Sequence, residues 1–275
     1  MNYSQEIHIQ RLRLSELDDS LSCFEDILAD KISKKYQSAR DYPNILIHLA
    51  GKTLWTFREI ICLCSFGFPE GALSLARNIY EQSITLAFLI EVKDEIDFQN
   101  YIEDYYIDAD IQRLKVAKWE AAFSLKDSQK EQQYKDELRI LKNSAHHKGN
   151  GDFWWTGHNT FSNLVEYLLS NERDQSFVKM MTGLHLIYRR ACASLHAGSL
   201  GNSIRLGTQA DFVGVDNSAK AQGHEIPLYF ATHSFIPIVG ITCHEFNLDG
   251  EVIIKKLNEL AIFYFKMWHE PREEK

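Results

Sequence analysis

A chain of 275 residues that is 45% hydrophobic can bury a substantial core, which excludes a disordered protein. Its 38 acidic against 30 basic residues give a formal charge of −8 and a pI of about 5.8, so the surface as a whole repels phosphate and any nucleic-acid contact needs a local basic patch. The five cysteines (Cys23, Cys62, Cys64, Cys192, Cys243) are odd in number and contain no CxxC, which excludes a disulfide framework or zinc-finger cluster and fits reduced thiols in a cytoplasm.

The amino-terminal MNYSQEIHIQRLRLSELDD carries charges where a signal peptide needs its apolar stretch. No uninterrupted apolar run approaches the roughly 20 residues of a membrane span, and no membrane partner is expected. A first helix is predicted over residues 5 to 38, and a second from Asn44 to Ser65, opened by Pro43 and Asn44. GFPEG at 67 to 71 breaks the chain, with Pro69 suited to the first turn of a third helix that reads to residue 92. An acidic, tyrosine-rich segment (96–123) and a highly charged one (126–143) follow; their charge runs mark solvated faces. HHKGNGDFWWTGHN, 146 to 159, reads as a loop. Helices are predicted from Thr160 to Leu169, Gln175 to Ala197, Ile226 to Phe246 and Glu251 to His269, with residues 198 to 224, rich in Gly, Asn and Ser, as a long irregular connection. With only five prolines and no alternating strand pattern, the expected class is all-α: a multi-helix bundle in one compact domain of 1–275, with a core near 44–202 and carboxy-terminal helices over 226–269.

The helix 175–197 carries the densest chemistry. At about 100° per residue, Arg189 and His196 differ by only about 20° around the helix, while Arg190 is turned about 120° from His196. His185 and Cys192 fall on the same stripe as Arg189. Arginine can bind phosphate in a bidentate manner and histidine can move protons near neutral pH, so the face suits phosphodiester chemistry. It equally suits a hydrogen-bonded helix end. In the third helix Arg77 and Glu81 stand one turn apart and can pair. Leu73, Ile84 and Phe88 share their stripe, which places the pair inside an apolar layer as a structural clamp or part of a site.

His146, His147 and His158 lack the carboxylate spacing and HExxH of a metal site, so no metal is expected. Trp154 and Trp155 could stack on a base or anchor their loop to the core. No GxGxxG, GxxxxGK[ST] or GxSxG occurs, which removes the usual support for nucleotide-dependent or α/β-hydrolase chemistry; no cofactor is expected.

The succession ARNIYEQSITLAFL, WWTGHNTFSNLVEYL and IYRRACASLHAGS resembles a bacterial family of unknown function. Its members look all-helical, with an Arg-x-x-x-Glu helix, a Trp-x-Gly segment and a terminal Ser/His motif. The matching residues are Arg77 and Glu81, Trp155 and Gly157, and Ser194 with His196, the last spacing one residue shorter than the family pattern. The resemblance covers roughly 70 to 202 and implies a fold without an activity. More distantly, the chain resembles HEPN domains, helical bundles of bacterial toxin and antiphage systems. There an Arg, four to six residues and a His form a metal-independent ribonuclease site completed across a homodimer. Arg189 with six intervening residues and Arg190 with five both fit that formula.

Two functions follow as expectations. In one, the chain is a HEPN-like ribonuclease or defence effector in which Arg189 holds the scissile phosphate and His196 acts as general acid/base or positions the 2′-hydroxyl. Its partners would be RNA, a second copy of the chain and a protein from the same operon. In the other, it is a non-catalytic binding or assembly module in which Arg77, Glu81 and His196 form a buried polar network, supported by His185, Arg190 and Ser194.

Overall fold

The computed structural model describes residues 3–32, 40–149, 151–195 and 223–269. They are all-α, as the periodicity predicts, and no strand occurs among them. Most of the expected 198–224 connection lies outside the described residues. Among the described residues the α-helices are α1 (Tyr3–Ile32), α2 (Tyr42–Ser65), α3 (Pro69–Glu91), α4 (Phe98–Glu120), α5 (Ser128–Ser144), α6 (Phe161–Asn171), α7 (Gln175–Leu195), α8 (Glu225–Phe246) and α9 (Glu251–His269). The contacts within the chain group these helices into two compact units. The boundaries fall inside α2 and α3 and at Glu172, so no Gly/Pro-rich linker announces them.

The first unit comprises Met1–Gln37, Leu46–Leu86 and Arg173–Lys275. α1 offers it Leu14, Leu17, Leu21, Phe24 and Leu28, a buried stripe at alternating spacings of three and four. The hub is α8. Its Phe235 ring meets Phe24 of α1 at 5.6 Å and Phe57 of α2 at 5.4 Å, both edge-on, and its Phe230 meets Tyr80 of α3 at 5.3 Å. α8 is long and apolar enough to cross a membrane, but 61% of its apolar window is buried inside the protein, as a core helix requires. Its end is sharp: Asn247 takes the left-handed conformation (φ 52°) and the Leu248 N–H returns to the Cys243 carbonyl at 2.8 Å. The chain then doubles back into α9, which packs along α8.

The second unit comprises Ser38–Ile45 and Ala87–Glu172. α4 runs into a π-helical turn, Ala121–Leu125, after which Lys126 adopts φ 52° and Asp127 caps α5 by accepting from the Gln129 and Lys130 N–H groups. These turns fold the two charged segments into a helical hairpin. The core lies under α4, where the Phe88 ring meets Tyr101 at 5.3 Å and Trp155 at 5.8 Å, and Tyr105 meets Trp155 at 5.1 Å. α5 contributes no buried residue.

Candidate functional site

In the first unit, α3 and α7 meet through a polar seam. The Arg77 Nε lies 3.4 Å from the Glu81 carboxylate. Across the seam, the Tyr188 hydroxyl donates to the same Glu81 oxygen at 3.0 Å and Arg77 Nη1 donates to the Cys192 sulfur at 3.9 Å. His185 stacks on Tyr188 with ring centroids 5.5 Å apart, and Tyr80 lies against both. Burial first, and the Glu81 charge second, push the Tyr188 hydroxyl well above its usual range, so it stays a protonated donor. Arg77 and Glu81 do not sit inside an apolar layer as their stripe predicts. Their side chains remain 27% and 28% exposed, because both reach from a buried helix flank (Ala76, Ile79 and Tyr80 at 0%) out to its wet edge.

Farther along α7, Arg189 and Arg190 are both exposed, with no carboxylate in ion-pair range among the described residues. Arg189 thus stands exposed next to Tyr188 of the seam, while His185 and Cys192 on its stripe turn inward. The Ser194 side chain and all of His196 lie outside the described residues.

In the second unit one buried carboxylate gathers the start of the loop after α5. Asp104 of α4 is completely buried and accepts from the His146 N–H at 2.9 Å, the His147 N–H at 2.7 Å and His147 Nδ1 at 2.8 Å. With two backbone N–H groups and Nδ1 all directed at this carboxyl, Nδ1 is the ring's donor and Nε2 is the nitrogen not engaged by Asp104. The imidazole stacks on Tyr101 at 4.4 Å. His146 pairs instead with Glu103 at 3.0 Å, and His158 packs against Tyr167, its pKa lowered by burial. The three loop histidines thus go to three different partners. Among the described residues no group of three or more His, Cys, Asp or Glu side chains could hold a metal. Trp155 is 4% exposed, between Phe88 and Tyr105, and cannot stack on a base; Trp154 is 8% exposed and donates to Asp108 at 2.7 Å. Both indoles anchor the loop. Gly157 turns it with φ 79°, and at Gly151 a Cβ would collide with the Asn159 backbone.

The anchored loop closes one end of a groove between α4 and α5. A cleft of about 430 Å³ is lined by His147, Trp154, Lys115, Lys142 and Lys148. Lys115 and Lys142 also line a further depression of about 400 Å³ together with Lys118, Lys135 and Arg139, so the two adjoin along the same pair of helices. The Lys148 ammonium is committed to the carbonyls of Lys142, Asn143 and Ala145, capping α5. Lys135 and Arg139 pair with Glu131 and Asp136 of their own helix. Lys115, Lys118 and Lys142 have no carboxylate partner among the described residues. The groove can therefore take an anion of several charges, with the open His147 ring at its closed end.

A family of unknown function, DUF5677, matches residues 44–212, more than half the chain. The chain belongs to this family. The match spans the seam helices α3 and α7 and the whole groove, and it bears out the sequence resemblance to an uncharacterised family; nothing in it supports the more distant HEPN resemblance. No curated protein and no solved structure matches the chain.

Two features of this DUF5677 member escape the sequence reading. Asp104 shares a helical stripe with Tyr101 and the buried Ile111, so its spacing is a signal: a carboxylate on an inward face requires donors from elsewhere. The basic groove also has a signal, since Lys135, Arg139 and Lys142 recur at four and three residues and fall on one face.

Proposed function

We propose that this DUF5677 member acts on RNA and that the α4–α5 groove holds the phosphates. One observation carries the reading. In a chain of net charge −8, six cationic side chains line the two adjoining depressions between α4 and α5, and among the described residues Lys115, Lys118 and Lys142 are held neither by a carboxylate nor by helix-end carbonyls. Such local concentration is what an acidic protein needs to hold a polyanion. The test is binding of a labelled single-stranded RNA by the full chain at rising salt. Three to five phosphate contacts give a log–log slope of about −2 to −3.5, which the double variant Lys115→Glu/Lys142→Glu should lower while weakening binding. A slope near zero, or a double variant that binds like the parent, refutes the reading.

Cleavage is a second step of the same proposal. It is favoured by Arg189, an exposed guanidinium that has no carboxylate partner among the described residues and directly follows Tyr188 of the Arg77–Glu81–Tyr188 seam. In this step Arg189 binds the scissile phosphate and His196 moves the proton, within a homodimer in a cytoplasm where the five cysteines stay reduced. Arg189→Ala and His196→Ala should each abolish RNA cleavage in EDTA while Arg190→Ala retains it. A purified protein that binds RNA without cutting it removes this step and leaves a binding module.

A further inference from the structure

We infer that Trp119 and Phe123 form a base-stacking edge beside the basic groove, so that the ligand is a single-stranded nucleic acid. The inference rests on the groove being the phosphate site and adds what recognises the rest of the ligand. Trp119 closes α4 and Phe123 lies in the π-helical turn that follows. Their rings are 5.3 Å apart with a tilt of 33°, and they remain 60% and 68% exposed. Single exposed apolar side chains are common, but two large rings in mutual contact and both open to solvent make a contiguous patch of the kind that binding surfaces present. Val116, 67% exposed, extends the apolar strip by one turn.

Their position relates them to the cations. Lys115 stands one turn before Trp119 and Lys118 directly precedes it, so the indole flanks the lysines that line the groove. Across the groove, Lys135, Arg139 and Lys142 repeat along α5 at about 4.5 to 6 Å of axial rise. A row of charges suits a chain of phosphates better than one compact anion. Phosphates along a groove with π-faces at its rim match single-stranded nucleic acid, whose unpaired bases stack on aromatic rings whatever their identity. A duplex hides those faces. An anionic membrane would also attract cations and aromatics, but a flat layer of headgroups cannot follow lysines that face one another across a concave groove.

The experiment measures anisotropy of labelled 12-mers of single-stranded RNA and DNA, a duplex of equal length, and heparin, using the full chain. Trp119→Ala should weaken single-strand binding by about 5- to 100-fold, with Trp119→Phe restoring most of it. Heparin affinity and the salt slope should stay at parental values. Lys115→Glu/Lys142→Glu should weaken every ligand. Trp119 is exposed, and unchanged circular dichroism checks that its variants fold. If the lysine variant weakens binding and Trp119→Ala does not, the stacking edge falls and the groove stands. If neither matters, or the parent binds no oligonucleotide, both fall. Trp119-dependent capture on vesicles containing an anionic lipid, without oligonucleotide binding, overturns the inference in favour of a membrane surface.

Discussion

Asp104→Asn isolates the contribution of one carboxylate to the second unit. The native side chain accepts three hydrogen bonds within 2.9 Å while buried from water. An amide of the same shape retains one acceptor oxygen. Turned one way, its NH₂ confronts both the His147 N–H and Nδ1–H; turned the other, it confronts only the His146 N–H. The second orientation is cheaper, and the loss of one charge-assisted bond with a stranded donor costs about 2–3 kcal/mol. Asp104→Ala removes every acceptor and costs about 3–5 kcal/mol, offset by the relieved desolvation of the carboxylate. Equilibrium urea unfolding, followed by the emission of the buried Trp154 and Trp155, measures both. Hydrogen exchange should also show the His146 and His147 amides losing protection first. An Asp104→Asn protein within 0.5 kcal/mol of the parent would mean that Asp104 is not what anchors this loop.

At the seam, Tyr188→Phe removes the donor to Glu81 and should cost about 1–2 kcal/mol by thermal or chemical unfolding; Glu81→Ala should cost more than Glu120→Ala on the exposed end of α4, and equal effects would place Glu81 outside any working network. Stability should also depend on pH through His233 and His158, whose pKa values burial lowers. Each ring is neutral in the fold and takes a proton more readily when unfolded. Stability is therefore complete above the unfolded value of about 6.5 and falls as pH drops below it, by up to about 1.4 kcal/mol per pH unit for each ring. His233→Gln should flatten the curve between pH 7 and 5, and an unchanged slope would refute the assignment.

How much of this was legible beforehand depends on whether the signal was local. α9 (Glu251–His269) and the end of α8 at Phe246 lie where the periodicity predicts them, because a long apolar stripe and an Asn turn are contained in their own residues. The Arg77–Glu81 pair was legible for the same reason, being one turn apart. Its partner Tyr188 is 107 residues away from Glu81 and no spacing announces it. The turn between α4 and α5 was hidden because neither Gly nor Pro marks it; Lys126 takes a left-handed conformation that usually selects glycine. The basic face was hidden by counting. Glu131, Asp136 and Glu137 are interleaved with Lys135, Arg139 and Lys142, so the run reads as mixed charge until helical spacing sorts the cations to one side.

α5 is the helix whose presence the core does not explain. None of its 17 residues is buried, and an isolated helix of that length is marginal in water. Its order comes from the Asp127 cap, the Lys148 ammonium on its last carbonyls, surface pairs such as Glu131 with Lys135, and the flank of α4. All of these lie at its ends or on its surface. They hold a polar rod in register so that its cations face Lys115 and Lys118. Because Lys115 and Lys142 are exposed and lack a carboxylate partner among the described residues, reversing their charge should leave the unfolding free energy within about 0.5 kcal/mol of the parent. Any loss of ligand then reports on the groove and not on the fold. A substantial loss of stability in Lys115→Glu/Lys142→Glu would instead show that the hairpin depends on those ammonium groups, and would remove the reason for reading its basic face as a binding surface.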